Sequence, residues 1–277
     1  TMTIRNNVTV GTNTFDGVGN FSSTGSGTIN VLVCDGSITM TTMITNLNNT
    51  TGTLGKSKIK TATLLSNITA LTAEFFYGCT LLDTIILNDG LLTIGISAFR
   101  QTGIVSITIP NTVTSIGSNA FQGCNLLVNV SLPSLLTNIS AGLFQDCISL
   151  QSITIPASII SADSSCFKGC TSLKTIIFNS IFTGTYLANQ STANMFYNCT
   201  ALENVVLKNG WNKSIVISMG TSYFTNVLTH DCIVGLFNSL ADLTGQTSQQ
   251  LRIGSTNLSR VNATEIAIAT NKNWTVL

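Results

Sequence analysis

The sequence contains few charged residues, and this shortage limits the classes of protein to which the chain can belong. Only 8% of the 277 residues are Asp, Glu, Lys or Arg, whereas soluble domains carry roughly a quarter. The 12 basic and 11 acidic residues leave a net charge of +1, so no electrostatic footprint exists for nucleic acid, acidic membranes or polyanionic substrates. A nearly uncharged surface also resists self-association poorly. The shortage of charge therefore favours a protein that belongs to an assembly or to the cell exterior over a free cytosolic enzyme.

Long apolar runs are also missing. No stretch approaches the ~20 uninterrupted apolar residues of a membrane span, so we expect no membrane insertion. The opening TMTIRNNVTV lacks the apolar core of a signal peptide. It fits two interpretations: a mature chain whose signal has been removed, or a native start that has lost its initiator methionine. The second interpretation would mean that the protein is not exported by means of a signal peptide.

What the sequence does contain is an internal repeat. Phenylalanines recur at gaps of 23, 22, 23, 23 and 29 residues: Phe76, Phe99, Phe121, Phe144, Phe167 and Phe196. The 29-residue gap marks an insertion, in IFTGTYLANQSTAN. Three residues after each phenylalanine comes a cysteine or a threonine: Cys79, Thr102, Cys124, Cys147, Cys170 and Cys199. A short run of alternating apolar and polar residues follows in every copy.

The alternating run predicts a half-buried β-strand in each copy. Pro110, Pro133 and Pro156 are the only prolines, and each stands just past such a run, where the chain must turn. A unit of about 23 residues cannot enclose a core alone, so the copies must stack and share one interior. The sequence therefore predicts a solenoid with short parallel strands, whose recurring phenylalanines and cysteines point inward.

The position three residues after each repeat phenylalanine, which we call the cysteine slot, is interpreted as structural. Thr102 occupies one equivalent position, which indicates a need for size rather than sulfur chemistry. Adjacent strands lie ~4.8 Å apart, close enough for disulfides between coils, but side chains in register point the same way, so we favour free buried thiols. Cys166 aligns with Ala98 and Ala120; it is predicted as a core filler rather than a zinc ligand.

These residues carry a resemblance to a known family. The copies IVSITIPNTVTSIGSNAFQGC and LQSITIPASIISADSSCFKGC resemble the BspA-like, treponemal-type class of bacterial leucine-rich repeats, over roughly residues 64–210. The tail that begins LTHDCIVGLFNSL is similar to the closing segment of such proteins in gut Firmicutes and their phages. The resemblance implies a right-handed leucine-rich repeat solenoid that is non-enzymatic, surface-exposed and used in adhesion or partner binding.

The chain is expected to divide into three parts. Residues 1–60 form a β-rich cap or docking segment, with alternating runs such as TINVLV and GSITMTTMI. Residues 61–227 form the solenoid, with the insertion near 179–194. Residues 228–277 form a C-terminal cap: a helix with Thr229 as N-cap, an apolar stripe up to Leu243 and Gly245 as its stop, then a strand at LRIG and a shorter helix that ends near Asn271.

We find no sequence signature of an enzyme. His230, Asp231 and Cys232 are contiguous and therefore cannot hold the geometry of a catalytic triad. No carboxylate pair recurs at equivalent positions, and no glycine-rich phosphate loop follows a strand and opens a helix. We therefore expect neither a cofactor nor a metal.

Candidate partner-binding residues come from two sets. The outward positions of the strands form ladders of small uncharged side chains, with Ser106, Thr108, Asn129, Ser131, Ser152 and Thr154 at their centre. Serine and threonine also simply suit an exposed strand. The second set is aromatic: Phe182 and Tyr186 in the insertion, and Trp211 and Tyr223 after the last regular coil. Each of these aromatics could equally pack against the cap.

Two settings for the function stay open at this point. The first is an extracellular or cell-surface recognition and adhesion module that binds a protein or a neutral glycan. The alternative is a bacteriophage virion protein, such as a tail-fibre, baseplate or decoration protein, whose partners include other virion subunits. Self-assembly fits the uncharged surface in both settings.

Overall fold

The computed structural model describes three short N-terminal strands and most of the chain from residue 60 onward. The described residues are 13–15, 21–23, 32–34, 60–64, 68–180, 195–208, 210–212, 214–216 and 227–277. Strands β1 (Asn13–Phe15) and β2 (Phe21–Ser23) pair antiparallel. Strand β3 (Leu32–Cys34), which overlaps the last two residues of the predicted run TINVLV, pairs parallel with Thr61–Leu64. The division of the chain at residues 60 and 227 stays a prediction.

Each coil contributes one main strand to a shared parallel face. These strands are β4 (Thr61–Leu64), β6 (Thr84–Ile86), β8 (Ser106–Thr108), β10 (Asn129–Ser131), β12 (Ser152–Ile155), β14 (Thr175–Phe178) and β15 (Asn204–Val206). Equivalent residues pair in register, so that Ser152, Thr175 and Asn204 lie side by side. The strands form three sheets in the orders β3-β4-β6, β8-β10 and β12-β14-β15. The repeat solenoid predicted from the sequence is confirmed.

A second set of strands, each two residues long, was not predicted. It comprises β5 (Ala70–Leu71), β7 (Thr93–Ile94), β9 (Ser115–Ile116), β11 (Asn138–Ile139) and β13 (Ser161–Ala162). They pair parallel in the orders β5-β7-β9 and β11-β13. Two residues are too few to show an alternating pattern, although the second residue of each strand is buried.

The recurring phenylalanines form one column through the solenoid. From Phe76 to Phe196, neighbouring rings have centroids 5.2–6.2 Å apart and planes within 7–11° of parallel, a favoured stacking range. All six rings are buried in a single hydrophobic core that extends from Ala62 to Trp274. Backbone hydrogen bonds tie the coils together beside the column, such as Phe144 N–H to Cys166 C=O at 2.8 Å.

The chain turns sharply on both sides of each phenylalanine. The residues two before and two after Phe99, Ser97 and Gln101, have φ values of +55° and +58°. Around Phe144 the corresponding residues are Gly142 at +61° and Asp146 at +59°. Left-handed backbone costs a residue with a Cβ about 1–2 kcal/mol, so these corners are maintained against local strain by the packing of the coil.

Gly169→Ala should reveal how closely these corners are stacked. Gly169 has φ of +76°, and a Cβ there would collide with Oδ1 of Asp146 in the preceding coil. Gly78 has nearly the same φ, +75°, but open space around an added Cβ. We expect Gly78→Ala to lower the free energy of unfolding by about 1 kcal/mol and Gly169→Ala by about twice as much, measured by urea unfolding. Equal losses would mean that the contact with Asp146 costs nothing.

The C-terminal cap combines three strands and three helices. Strands β16 (Ile215–Val216), β17 (Gln249–Arg252) and β18 (Trp274–Val276) form one parallel sheet in that order. The helices are α1 (His230–Ser239), α2 (Ser255–Leu258) and α3 (Ala263–Thr270).

The predicted N-cap of α1 and the predicted end of α3 are confirmed, whereas the predicted end of α1 is not. Thr229 caps α1 by accepting a hydrogen bond from Cys232 N–H at 3.2 Å. Helix α3 begins with a capping box and has Asn271 as its C-cap. The prediction that α1 runs on to Gly245 is wrong: it ends at Ser239, because Leu240 leaves the helix to form a parallel β-bridge with Trp211.

Candidate functional site

The exposed side of the main strand face is the candidate site. Ile107 and Ile153 point into the core and are at most 5% exposed, so the residues on either side of them point outward. The structure places all six strand residues proposed from the sequence on this side, where each is exposed: Ser106, Thr108, Asn129, Ser131, Ser152 and Thr154. They are uncharged donors and acceptors arranged on a rigid parallel scaffold.

Four of these residues meet around one depression, which we name the β10–β12 depression. It has a volume of about 440 Å³, and Asn129, Ser131, Ser152 and Thr154 line it. Asn179, from the turn after β14, completes its polar rim. Four apolar residues next to this rim also line the depression: Val130, Leu132, Ile153 and Pro156. None of the described residues that line it carries a charge.

The other two strand residues belong to a second depression, the β6–β8 depression. Its volume is about 330 Å³, and Ser106 and Thr108 line it opposite Thr84 and Ile86. Asp89, which follows β6, also lines it and brings a carboxylate. The two depressions therefore lie on the same face of the solenoid, between different pairs of strands, and only the β6–β8 depression has a charged residue in its described lining.

One of the four aromatic candidates, Trp211, lies within the described residues, and it does not line this site. Trp211 is 0% exposed and packs edge to face against Phe178, with ring centroids 5.6 Å apart. The interpretation of Trp211 as a binding residue is therefore wrong, because the bridge to Leu240 holds it under the cap. Phe182, Tyr186 and Tyr223 lie outside the described residues.

Sequence reasoning missed Asn179 and Asp89. Both stand in loops just past a main strand, at positions that the repeat pattern leaves variable. Their position just beyond a strand end could have identified them in the sequence, since polar loop residues next to a regular scaffold often bind partners.

Comparisons with known proteins agree with this geometry. A family model described as "BspA type Leucine rich repeat region" matches in six copies, over residues 36–126 and 93–230. The chain belongs to the BspA-type leucine-rich repeat family. The structure of a leucine-rich repeat protein from T. pallidum is similar at 23% identity and a TM-score of 0.53, over 65% of this chain and 81% of that one.

Two further solved structures are similar at lower scores. A leucine-rich cell surface protein from Faecalibacterium prausnitzii matches at 16% identity and a TM-score of 0.43, over 91% of this chain and 85% of that one. The pneumococcal vaccine antigen PcpA matches at 17% identity and a TM-score of 0.43, over 72% of this chain and 63% of that one. Comparison with curated proteins gives no match.

The cysteine slot of this BspA-type solenoid holds hydrogen-bond donors. The thiols of Cys124 and Cys147 donate to the carbonyls of Phe99 and Phe121, one coil earlier, at 3.0 and 3.1 Å. Cys170 and Cys199 repeat the contact. Thr102 donates its hydroxyl proton to Phe99 C=O at 2.9 Å. The prediction that the slot needs only size was therefore incomplete: cysteine and threonine are both small and both donate.

Burial keeps these thiols neutral. Desolvation raises the pKa of Cys124 from 9.0 to about 11, and it raises the pKa of Cys147 and Cys170 well above 9.0. No cysteine side chain in the part of the chain that the structure describes forms a disulfide. Because the thiolate is the nucleophile, the column supplies no reactive sulfur near neutral pH.

His230 has a structural contact in the BspA-type cap. Its side chain is half exposed, and its Nε2 lies 3.0 Å from Glu265 Oε1. This contact joins the first turn of α1 to α3, and Asp231 lies in the same first turn. Cys232 instead turns toward β15, where its sulfur accepts from Val205 N–H at 3.1 Å. His230 therefore contacts two carboxylates, since its Nδ1 also lies 3.4 Å from Asp231 Oδ1, whereas the sulfur of Cys232 contacts the neighbouring strand.

Within the described residues, no helix combines the length and the apolarity that a membrane span requires. No group of three or more His, Cys, Asp or Glu side chains in the same residues is placed to hold a metal ion.

Proposed function

We propose that this BspA-type protein is a non-enzymatic recognition module of the cell exterior, which binds a protein or a neutral glycan partner through its main strand face. The observation that carries the proposal is the row of exposed, uncharged hydroxyl and amide side chains on rigid parallel strands. Such groups both donate and accept hydrogen bonds, so they suit a polar, uncharged partner. The near absence of charge over the whole chain supports the same kind of partner.

The chemistry of the described residues supports a binding role. The cysteine column is buried and neutral, as the raised pKa of Cys124 indicates. His230 contacts a carboxylate of the cap rather than a nucleophile. The virion setting has no structural observation in its favour and stays a prediction.

The test compares lysine substitutions on two surfaces of the solenoid. Thr108 and Thr154 are exposed on the main strand face, whereas Thr114 and Thr137 are exposed just before the short strands β9 and β11. Thr108→Lys/Thr154→Lys places long charged side chains on the proposed face, and Thr114→Lys/Thr137→Lys is the matched control. The readout is binding to immobilised extracellular-matrix proteins and to an array of neutral glycans.

We expect the strand-face variant to lose about tenfold in affinity, roughly 1.4 kcal/mol, because an unpaired charge would have to be desolvated on binding. The control should change by less than about twofold. Equal binding by the two variants would place the interface elsewhere. No binding of the unmodified protein to either panel would contradict the proposed function itself.

A further inference from the structure

The two strand-face depressions coincide with the breaks between sheets. Strands β8 and β10 pair in one sheet and β12, β14 and β15 pair in another, so β10 and β12 belong to different sheets. Likewise β6 belongs with β3 and β4, and β8 begins a new sheet. In a closed ladder, neighbouring strands lie ~4.8 Å apart and leave no space between them. The breaks therefore turn a flat face into one with two discrete concave sites.

The β10–β12 depression differs from a flat ladder in its lining. Val130 is half-buried, whereas the inward residues of the paired strands, Ile176 and Val205, are at most 2% exposed. Val130 and Pro156, both half-buried, add aliphatic surface next to the polar side chains that line the depression. A pocket of this kind, with apolar residues and a few convergent polar groups, is the usual form of a small-ligand site.

The polar rim favours ligands that carry hydroxyl groups and no charge. Asn129 and Asn179 each offer an amide donor and an acceptor, and Ser131, Ser152 and Thr154 offer hydroxyls that do both. Sugar hydroxyls likewise donate and accept, and the C–H faces of a sugar ring suit the aliphatic part of the lining. A carboxylate or sulfate would be buried here without a cation, which is costly. The volume of about 440 Å³ falls in the range of small-ligand sites.

We propose that the β10–β12 depression binds the neutral end of an oligosaccharide, about two sugar units long. This inference rests on the proposed function, since it assigns the partner class and the place on the strand face. The β6–β8 depression serves as the comparison site, because Asp89 lines it with a carboxylate, which accepts hydrogen bonds from sugar hydroxyls but cannot donate any. The groove beside Cys232 also carries a carboxylate, that of Asp231.

The experiment fills each depression with a matched substitution. Ser152 and Thr84 are both exposed first residues of main strands, and they line the β10–β12 and the β6–β8 depressions respectively. Ser152→Trp should block the proposed site, and Thr84→Trp is the control. The double variant Asn129→Ala/Asn179→Ala removes both rim amides without adding volume, so the test survives if tryptophan disturbs folding. Thermal unfolding checks every variant.

The probes are neutral oligosaccharides with sialylated and sulfated counterparts on one array, and matrix proteins on a parallel surface. We expect binding to a neutral oligosaccharide that falls at least about tenfold in Ser152→Trp and in the double alanine variant, and changes by less than about twofold in Thr84→Trp. Tighter binding of the sulfated or sialylated counterpart would overturn the inference.

Two other outcomes separate this inference from the proposed function. Binding to a matrix protein without binding to any neutral oligosaccharide would overturn the sugar site while leaving the recognition role in place. Sugar binding that Thr84→Trp abolishes and Ser152→Trp preserves would move the site to the β6–β8 depression and overturn the assignment. No binding to either surface would contradict both proposals.

Discussion

Phe144→Ala should lower the free energy of unfolding by about 3–5 kcal/mol. The ring of Phe144 is 0% exposed and stacks between Phe121 and Phe167, with centroids 5.5 and 5.8 Å away. Alanine would leave a cavity that interrupts the column, and the flanking coils are tied by backbone hydrogen bonds that limit collapse. Urea unfolding, followed by circular dichroism, measures the loss.

The matched control for this prediction is Phe144→Leu. Leucine loses the stacked ring but keeps most of the buried volume, so we expect a loss of only about 1–2 kcal/mol. Because each coil contacts only its neighbours, the alanine variant should also broaden the unfolding transition by uncoupling the two halves. A loss below about 1 kcal/mol for the alanine variant would show that the column contributes little to stability.

Alkaline pH should destabilise the folded chain strongly, through the buried thiols. Burial raises the pKa of Cys124 from 9.0 to about 11 and raises the pKa of Cys147 and Cys170 well above 9.0. A folded-state pKa above the unfolded one means that the folded chain holds more protons, so this stability is complete below about pH 8.5 and is lost as the pH rises through the folded pKa. For Cys124 alone, a pKa change from 9.0 to about 11 corresponds to about 3 kcal/mol.

The measurement is the free energy of unfolding between pH 7 and pH 11 with a reductant present throughout. Cys124→Thr introduces the residue found at the equivalent position 102, where the hydroxyl donates to the carbonyl three residues earlier; at position 124 the corresponding acceptor is Phe121 C=O. Because the folded-state thiol is only about half ionised at pH 11, the stability of the variant should fall by about 2 kcal/mol less over this range than that of the unmodified chain. The same pH dependence in both proteins would rule out Cys124 as a source of the alkaline loss.

The candidate site was predictable only in part. The alternation within each copy placed Ser131 and Ser152 on the exposed side of their strands, since side chains in a strand alternate between two faces. It could not show that the ladder opens between β10 and β12, because identical-looking copies predict identical pairing. Nor could it add Asn179, whose position on the rim depends on where the next coil ends.

The repeat sequence by itself determined the solenoid, the column of phenylalanines and the inward thiols. In a stack of near-identical units, each contact recurs at a fixed offset along the chain, so periodicity alone identifies the residues that meet. The tertiary structure decided the left-handed corners, the partner of each thiol, the burial of Trp211 and the end of α1 at Ser239. These features depend on which atoms of the neighbouring coil or cap lie within reach, and spacing along one chain carries no information about that.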